Sequence, residues 1–243
     1  MKRTLLLVGM AMAFGVLRSQ EVPLAPPPVK PAPGGFLAAP ADAKTLFNGS
    51  DVTGWAKADA SPTGCRAEKG EMVCRTGAKD AYSRERHRDA QIHVEFLVPP
   101  MPDQKGQRKG NSGVFLMGCY ELQILDGIDN PTYADGMIGA LYKFAPPLVN
   151  AARPAGEWQS YDIFFRAPRC SAEGQVEEDA MATVLLNGVL VQNGTRMKLE
   201  PGKCRARGQS LCSAGPLILQ DHSGFPNPPK TEMRFRNLWL RGL

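Results

Sequence analysis

The chain has 243 residues, enough for one large domain or two small ones, and its 43% hydrophobic and 22% charged content is that of a globular protein. The net charge of +5 is modest, with Lys and Arg scattered instead of gathered into a stripe, which argues against a nucleic-acid partner. Twenty-five Gly and 21 Pro favour a turn-rich β fold over a helical one.

Met1-Lys2-Arg3 precedes an uncharged apolar run from Thr4 to Leu17, too short to cross a bilayer as a mature helix. It reads as a secretory signal over 1–20, cut between Ser19 and Glu21. No Cys follows the run, so a bacterial lipid anchor is not expected. Residues 21–43 are Pro-rich and predict an extended linker ahead of a folded domain over 44–243. These features predict an exported bacterial protein, periplasmic or extracellular, with no membrane insertion once the signal is removed.

Strand signals begin near Thr45-Leu46-Phe47 and continue with turn punctuation nearly to the end. Six cysteines follow the signal, at 65, 74, 119, 170, 204 and 212, and an exported chain uses such an even set for disulfides. Cys65 and Cys74 bracket a hairpin that turns at Lys69-Gly70. Counting outward makes them a non-hydrogen-bonded pair, where facing side chains come closest, so a cross-strand disulfide is expected. The other four permit three connectivities, and Cys119 as a free thiol is an alternative. Neither a Cys-x-x-Cys pair nor a Cys/His cluster suggests a zinc site.

Gln91 to Val98 alternates as a strand. His87 and His93 read as surface residues. Lys109 to Asp126 then reads as one long strand. Val114, Leu116, Tyr120, Leu122 and Ile124 form its apolar row, and Phe115, Met117, Cys119, Glu121 and Gln123 share the other face. Gly139 to Phe144 is a short strand candidate, Trp158 to Phe165 another, and Leu186-Asn187-Gly188-Val189 a strong hairpin signal. Polar excursions at 167–179 and 203–213 separate the later strands, Pro216 to His222 and Met233 to Leu240. The expected fold is all-β, a single two-sheet sandwich of antiparallel strands. Trp55, Trp158 and Trp239 are expected in core packing.

Several segments, in order, carry a resemblance: Leu46-Phe47-Asn48-Gly49 with Trp55, Gly110-Asn111-Ser112-Gly113, Tyr120 to Asp126, and Gly156-Glu157-Trp158-Gln159. Leu185-Leu186-Asn187-Gly188, Gly215 to His222 and Arg234-Phe235-Arg236-Asn237 follow. The chain resembles the 3-keto-disaccharide hydrolase domain family, whose members are also described as 3-keto-glucoside lyases and 3-keto-2-hydroxy-glucal hydratases. The resemblance implies a concanavalin-A-like lectin/glucanase jelly roll. It also implies a 3-keto-glycoside substrate and an upstream glycoside 3-dehydrogenase that makes the ketone. Such domains carry basic residues where this chain has Met117 and Cys119, and both polar excursions look like insertions.

The twofold period puts Gln220 and His222 on one face. If their strand lies beside the central one, they meet Glu121 and Gln123. His222 or Glu121 is then the expected base, with Tyr142 or a divalent metal held by His222 and Glu121 as electrophile. Gln123, Gln220, Asp221, Asn111, Lys143 and Arg236 are the expected substrate contacts. Ordinary glycosidase chemistry needs two facing carboxylates, whereas Glu121 and Asp126 have opposite parity. The rival expectation is a non-catalytic carbohydrate-binding module on the same fold.

Overall fold

The structure, a computed structural model, describes residues 38–224 and 226–243; the signal and most of the linker lie outside the described residues. The strands are β1 Lys44–Phe47, β2 Trp55–Ala56, β3 Arg66–Glu68, β4 Glu71–Arg75, β5 Ala81–His87, β6 Ala90–Leu97, β7 Ser112–Leu116 and β8 Tyr120–Ile124. They continue with β9 Trp158–Arg166, β10 Arg169–Cys170, β11 Val176–Glu178, β12 Ala180–Leu186, β13 Val189–Met197, β14 Gly215–Leu219 and β15 Glu232–Gly242. The larger sheet runs β13-β12-β9-β6-β15-β4-β3, with β1 also on β15, and the smaller runs β2-β5-β14-β7-β8. Every named strand pairing is antiparallel. The two sheets form a jelly-roll sandwich, as expected.

Alternation decides which side chains fill it. Ile92, Val94 and Phe96 of β6, Tyr161 and Ile163 of β9, and Val114, Leu116, Leu122, Ile124, Leu217 and Leu219 of the smaller sheet are buried in one core. Trp55 and Trp239 are buried too, and the Trp55 indole N–H donates to the Leu46 carbonyl at 2.9 Å.

The Cys65–Cys74 disulfide forms, with Lys69 and Gly70 at φ 53° and 82° in the turn and Arg66 opposite Val73. The Asn187-Gly188 hairpin also forms, with φ 54° and 81°. Three sequence readings change. The long strand is a hairpin, because Met117 and Gly118 take φ 53° and 69° and fold β8 back onto β7. Its face assignment survives within the two strands, since folding sets Phe115 opposite Glu121 and Val114 opposite Leu122, but Met117 and Cys119, expected with Glu121, turn into the main core because the turn breaks the twofold period. Residues 139–144 make only a bridge, Leu122 to Leu141, because Leu141 closes a turn onto Ala145.

The third change concerns the histidines, which are buried. His87 ends β5, a strand hidden in sequence by its charges, and its Nε2 accepts the Met117 N–H at 3.1 Å. His93 stacks on Trp239 with ring centroids 5.4 Å apart, and its Nδ1 lies 2.6 Å from Asp162 Oδ1. No cysteine is free, since Cys119–Cys204 and Cys170–Cys212 complete the set. The two excursions are thereby stitched to each other and to the β7–β8 turn. Among the described residues no helix is long and apolar enough to cross a membrane.

Candidate functional site

The outer face of the smaller sheet carries the polar groups. Strand register lines up Ala56, Tyr82, Ile218, Phe115 and Glu121 across it from β2 to β8. Phe115 and Ile218 pack there with Tyr82 and Ala206, so Glu121 sits at the end of an apolar row. The neighbouring row has Gln123 opposite Gly113, whose carbonyl accepts the Gln220 N–H at 2.9 Å. Gly113 explains how Glu121 reaches across β7, because a Cβ there would stand 2.5 Å from Glu121 Oε1. The carboxylate occupies the space that a side chain would fill, within hydrogen-bonding range of Gln220.

Burial pushes the Glu121 carboxyl up to about 7; the Arg205 cation opposes the rise and the Asp80 charge adds to it. A carboxyl poised there gives or takes a proton near neutrality. His222 is drawn the other way. Burial and then the Arg205 charge lower it, which favours a neutral imidazole that can accept a proton. Asn111, Gln220, Asp221 and His222 share the wall of one small cavity of about 20 Å³.

Gln107, on a single 3₁₀ turn at Gly106–Arg108, orients the amides. Its Nε2 donates to the Gly136 carbonyl, which leaves its Oε1 to accept from both Asn111 Nδ2 and Gln123 Nε2 at 3.0 Å. Asn111 Nδ2 also donates to the Gln107 carbonyl, and Gln123 Nε2 to that of Gly136. Backbone carbonyls thus fix which end of each amide is the donor. The oxygens Asn111 Oδ1, Gln123 Oε1 and Gln220 Oε1 are buried with no protein partner. Such acceptors suit the hydroxyl donors of a polyol.

The segment after β8 folds along its outer edge. The Tyr142 N–H donates to the Glu121 carbonyl at 2.9 Å, and the Tyr142 hydroxyl lies 2.8 Å from that of Tyr133. Burial and the bond to Tyr142 raise Tyr133, with a smaller rise from the Glu121 charge, so this hydroxyl pair lies within the carboxylate's field. Lys143 Nζ stands 3.7 Å over the Tyr133 ring and 3.5 Å from Asp135.

Arg205 comes from the second excursion. Its guanidinium lies 5.1 Å over the Phe115 ring and forks onto Asp80, with Nε 2.6 Å from Oδ2 and Nη2 2.8 Å from Oδ1. A cavity of about 420 Å³ opens beside it, walled by Lys57, Asp59, Lys79, Asp80, Tyr82, Asp221 and Ser223 among others. Arg205 and Tyr82 belong to both that cavity and the Glu121 face.

The structure therefore gathers Glu121, Gln123, Gln220, His222, Asn111 and Tyr142 on one side of the sandwich, with Lys143 at its border. Asp221 is present as a brace, since its carboxylate accepts the Gly77 and Lys79 N–H groups and the Ser223 hydroxyl. Arg236 is elsewhere. It lies on β15 of the larger sheet, paired with Glu95 at 2.6 Å and 4.0 Å over the Trp158 ring. Tyr133, Gln107 and Arg205 were missed in the sequence. Only Arg205 had a signal there, its place beside Cys204.

Among the described residues no three His, Cys, Asp or Glu side chains are grouped to hold a metal ion. Glu121 and His222 offer two candidate ligands, fewer than a divalent ion ordinarily takes from protein.

No curated protein matches the chain. A candidate glycosyl hydrolase from Parabacteroides distasonis ATCC 8503 is similar in structure, with TM-score 0.76 and 35% identity over 93% of this chain and 94% of that one. A second from the same organism, 20% identical over 83% of this chain and 94% of that one, shares the fold at TM-score 0.61. Residues 42–241, nearly the whole described chain, match the 3-keto-alpha-glucoside-1,2-lyase-like domain, and the chain belongs to that family.

Proposed function

We propose that the protein is an exported carbohydrate-active enzyme that cleaves 3-keto-glycosides by base-initiated elimination, with hydration or net hydrolysis to follow. The observation that carries this reading is Glu121, a carboxyl raised to about 7 over the hollow of Gly113 among buried amide oxygens. A ketone at C3 acidifies the C2 proton. Glu121 removes that proton, the electron pair forms the C1–C2 double bond, and the C1–O bond breaks. The departing oxygen takes up a proton, and in the hydration step water adds across the C1–C2 double bond, its hydroxyl to C1 and a proton to C2.

The side chains divide this work. The Tyr142–Tyr133 hydroxyls donate to oxygen as charge develops on it. Neutral His222 is a second acid–base group, and the acceptor amides take the sugar hydroxyls. A divalent metal, were one bound, would be held by His222 and Glu121 and would supply the electrophile in place of the tyrosine pair. Three disulfides support export, and the ketone itself requires an upstream glycoside 3-dehydrogenase.

The test is turnover of a 3-keto-glucoside by the purified protein, with and without EDTA. Turnover that survives chelation is expected. Loss on chelation would install the metal in place of the tyrosine pair. Binding of unoxidised glycans without turnover would replace the enzyme with a carbohydrate-binding module.

A further inference from the structure

The cavity of about 420 Å³ beside the site carries charge of both signs, and the two signs are treated differently. Each carboxylate on its wall is already bonded to donors of the protein. Asp80 takes the Arg205 fork and the Asp221 N–H at 2.9 Å. Asp221 takes the Gly77 and Lys79 N–H groups at 3.1 and 2.9 Å and the Ser223 hydroxyl at 2.8 Å. Asp59 takes the Ser61 N–H at 3.0 Å and its hydroxyl at 2.6 Å. Arg205 is engaged in the same fork, with its guanidinium over Phe115. The two lysines are the exceptions. Among the described residues neither the Lys57 nor the Lys79 ammonium makes an ion pair or a hydrogen bond, and Lys57 acts on Asp59 through space alone.

Two separate loops bring these lysines to one wall. Lys57 follows β2 in a turn, where its N–H donates to the Ser61 carbonyl at 2.8 Å and its carbonyl accepts the Ala60 N–H at 2.9 Å. Lys79 precedes β5 with φ 67°, a left-handed conformation that Gly or Asn adopts at less cost. Asp221 holds it there through the Lys79 N–H. Lys79 and Asp221 also wall the small cavity that contains Asn111, Gln220 and His222, so the two cavities adjoin at these residues. The larger one has the size of a small-molecule site, and the half-buried Tyr82 adds a ring against which a sugar carbon face can pack.

We infer that this cavity receives the leaving group of the substrate, and that Lys57 and Lys79 select a leaving group bearing a carboxylate, a sugar acid in place of a neutral sugar. The inference rests on the reading of the protein as an enzyme that cleaves 3-keto-glycosides. With every acid on the wall engaged, the unanswered charge is positive, and its complement is an anion. A single carboxylate suits two mobile ammonium groups, whereas the rigid guanidinium fork that matches a phosphate is already given to Asp80.

The experiment compares two substrates of equal size, 3-keto-maltobionate and 3-keto-maltitol, which differ in a carboxylate against a hydroxymethyl group on the leaving sugar. Wild type is expected to favour the acid by roughly five- to tenfold in kcat/KM, the size of a screened charge contact. Added salt should compress that ratio. Lys57→Met with Lys79→Met should bring the ratio to about one, and Lys57→Arg with Lys79→Arg should keep it. Both lysines reach solvent, so these variants are expected to fold, with near-UV dichroism as the check. A wild type that does not favour the acid, or a methionine pair that still does, overturns the inference. If neither substrate turns over, the enzymatic reading falls, and calorimetric titration with gluconate decides the cavity by itself. Gluconate binding that is lost in the methionine pair keeps these lysines as a carboxylate site; no binding, or binding unchanged in that pair, overturns it.

Discussion

Glu121 and Gly113 act as one unit, and each makes a separate prediction. Glu121→Gln removes the proposed base with little change in volume, and kcat/KM is expected to fall by about 10²–10⁴-fold with substrate of the 3-keto class. Gly113→Ala leaves every functional group in place but puts a methyl 2.5 Å from Glu121 Oε1. The flexible end of the glutamate can swing away, so the fold should survive while the carboxylate is displaced. A loss of roughly 10²-fold in kcat with an unchanged circular-dichroism spectrum is expected. An alanine variant with full activity would show that the hollow over β7 is not where Glu121 works. In wild type, kcat/KM should rise through about pH 7 on its acid limb, because Glu121 must be ionised to act as base.

Legibility in the sequence followed the range of the interaction. Hairpins set by two adjacent residues, Lys69-Gly70 and Asn187-Gly188, were readable because each needs only a local backbone shape. The Cys65–Cys74 pairing followed from that shape by counting. The β7–β8 fold was missed because Met117 is an uncommon residue at φ 53°, and nothing in an apolar run advertises the turn. Strand β5 was missed because Arg84, Glu85 and Arg86 look like a solvated stretch, although Ala81, Ser83 and His87 alternate inward. Within the candidate site, parity alone placed Glu121 with Gln123 on β8, whereas Gln220 and His222, read as strand, lie past the end of β14 at Leu219 and line one cavity together with Asp221. Arg205 and Tyr133 reach the face through long-range folding, which no period encodes. The short hairpin also makes a prediction. Cys65→Ser with Cys74→Ser should cost about 2–3 kcal/mol in urea unfolding, the loop-closure value for so small a ring.

For the whole molecule, buried ionisable groups give stability a definite dependence on pH. Burial takes His87 down to about 4, so its contribution is fully present above about 6.5 and is lost as pH falls toward 4. Protonation there also displaces the Met117 N–H from Nε2 and loosens the β7–β8 turn. Burial opposes charge on His93 as well, but its hydrogen bond to Asp162 and the nearby Glu95 carboxylate outweigh it and raise the group. Its contribution is present below about 6.5 and fades as pH rises through the folded value. Glu121 acts in the same sense, because a carboxyl raised to about 7 destabilises the fold as it ionises. Thermal melts from pH 4 to 9 should therefore peak near pH 6, and Glu121→Gln should melt higher than wild type at pH 8. A variant no more stable than wild type there would mean that the carboxylate bears no strain.

The loop along β8 bears on how this molecule meets its neighbours. Gln123 gives its N–H to the Ala140 carbonyl, and its own carbonyl accepts from the Gly139 N–H and the Tyr161 hydroxyl, while the Glu121 carbonyl accepts from Tyr142. A strand at the margin of a sheet ordinarily offers these groups to any extended peptide. Here the margin is already sealed by the protein's own chain. Strand β8 should therefore exchange its Gln123 amide hydrogen as slowly as an interior strand, and it offers no template on which a second molecule could polymerise.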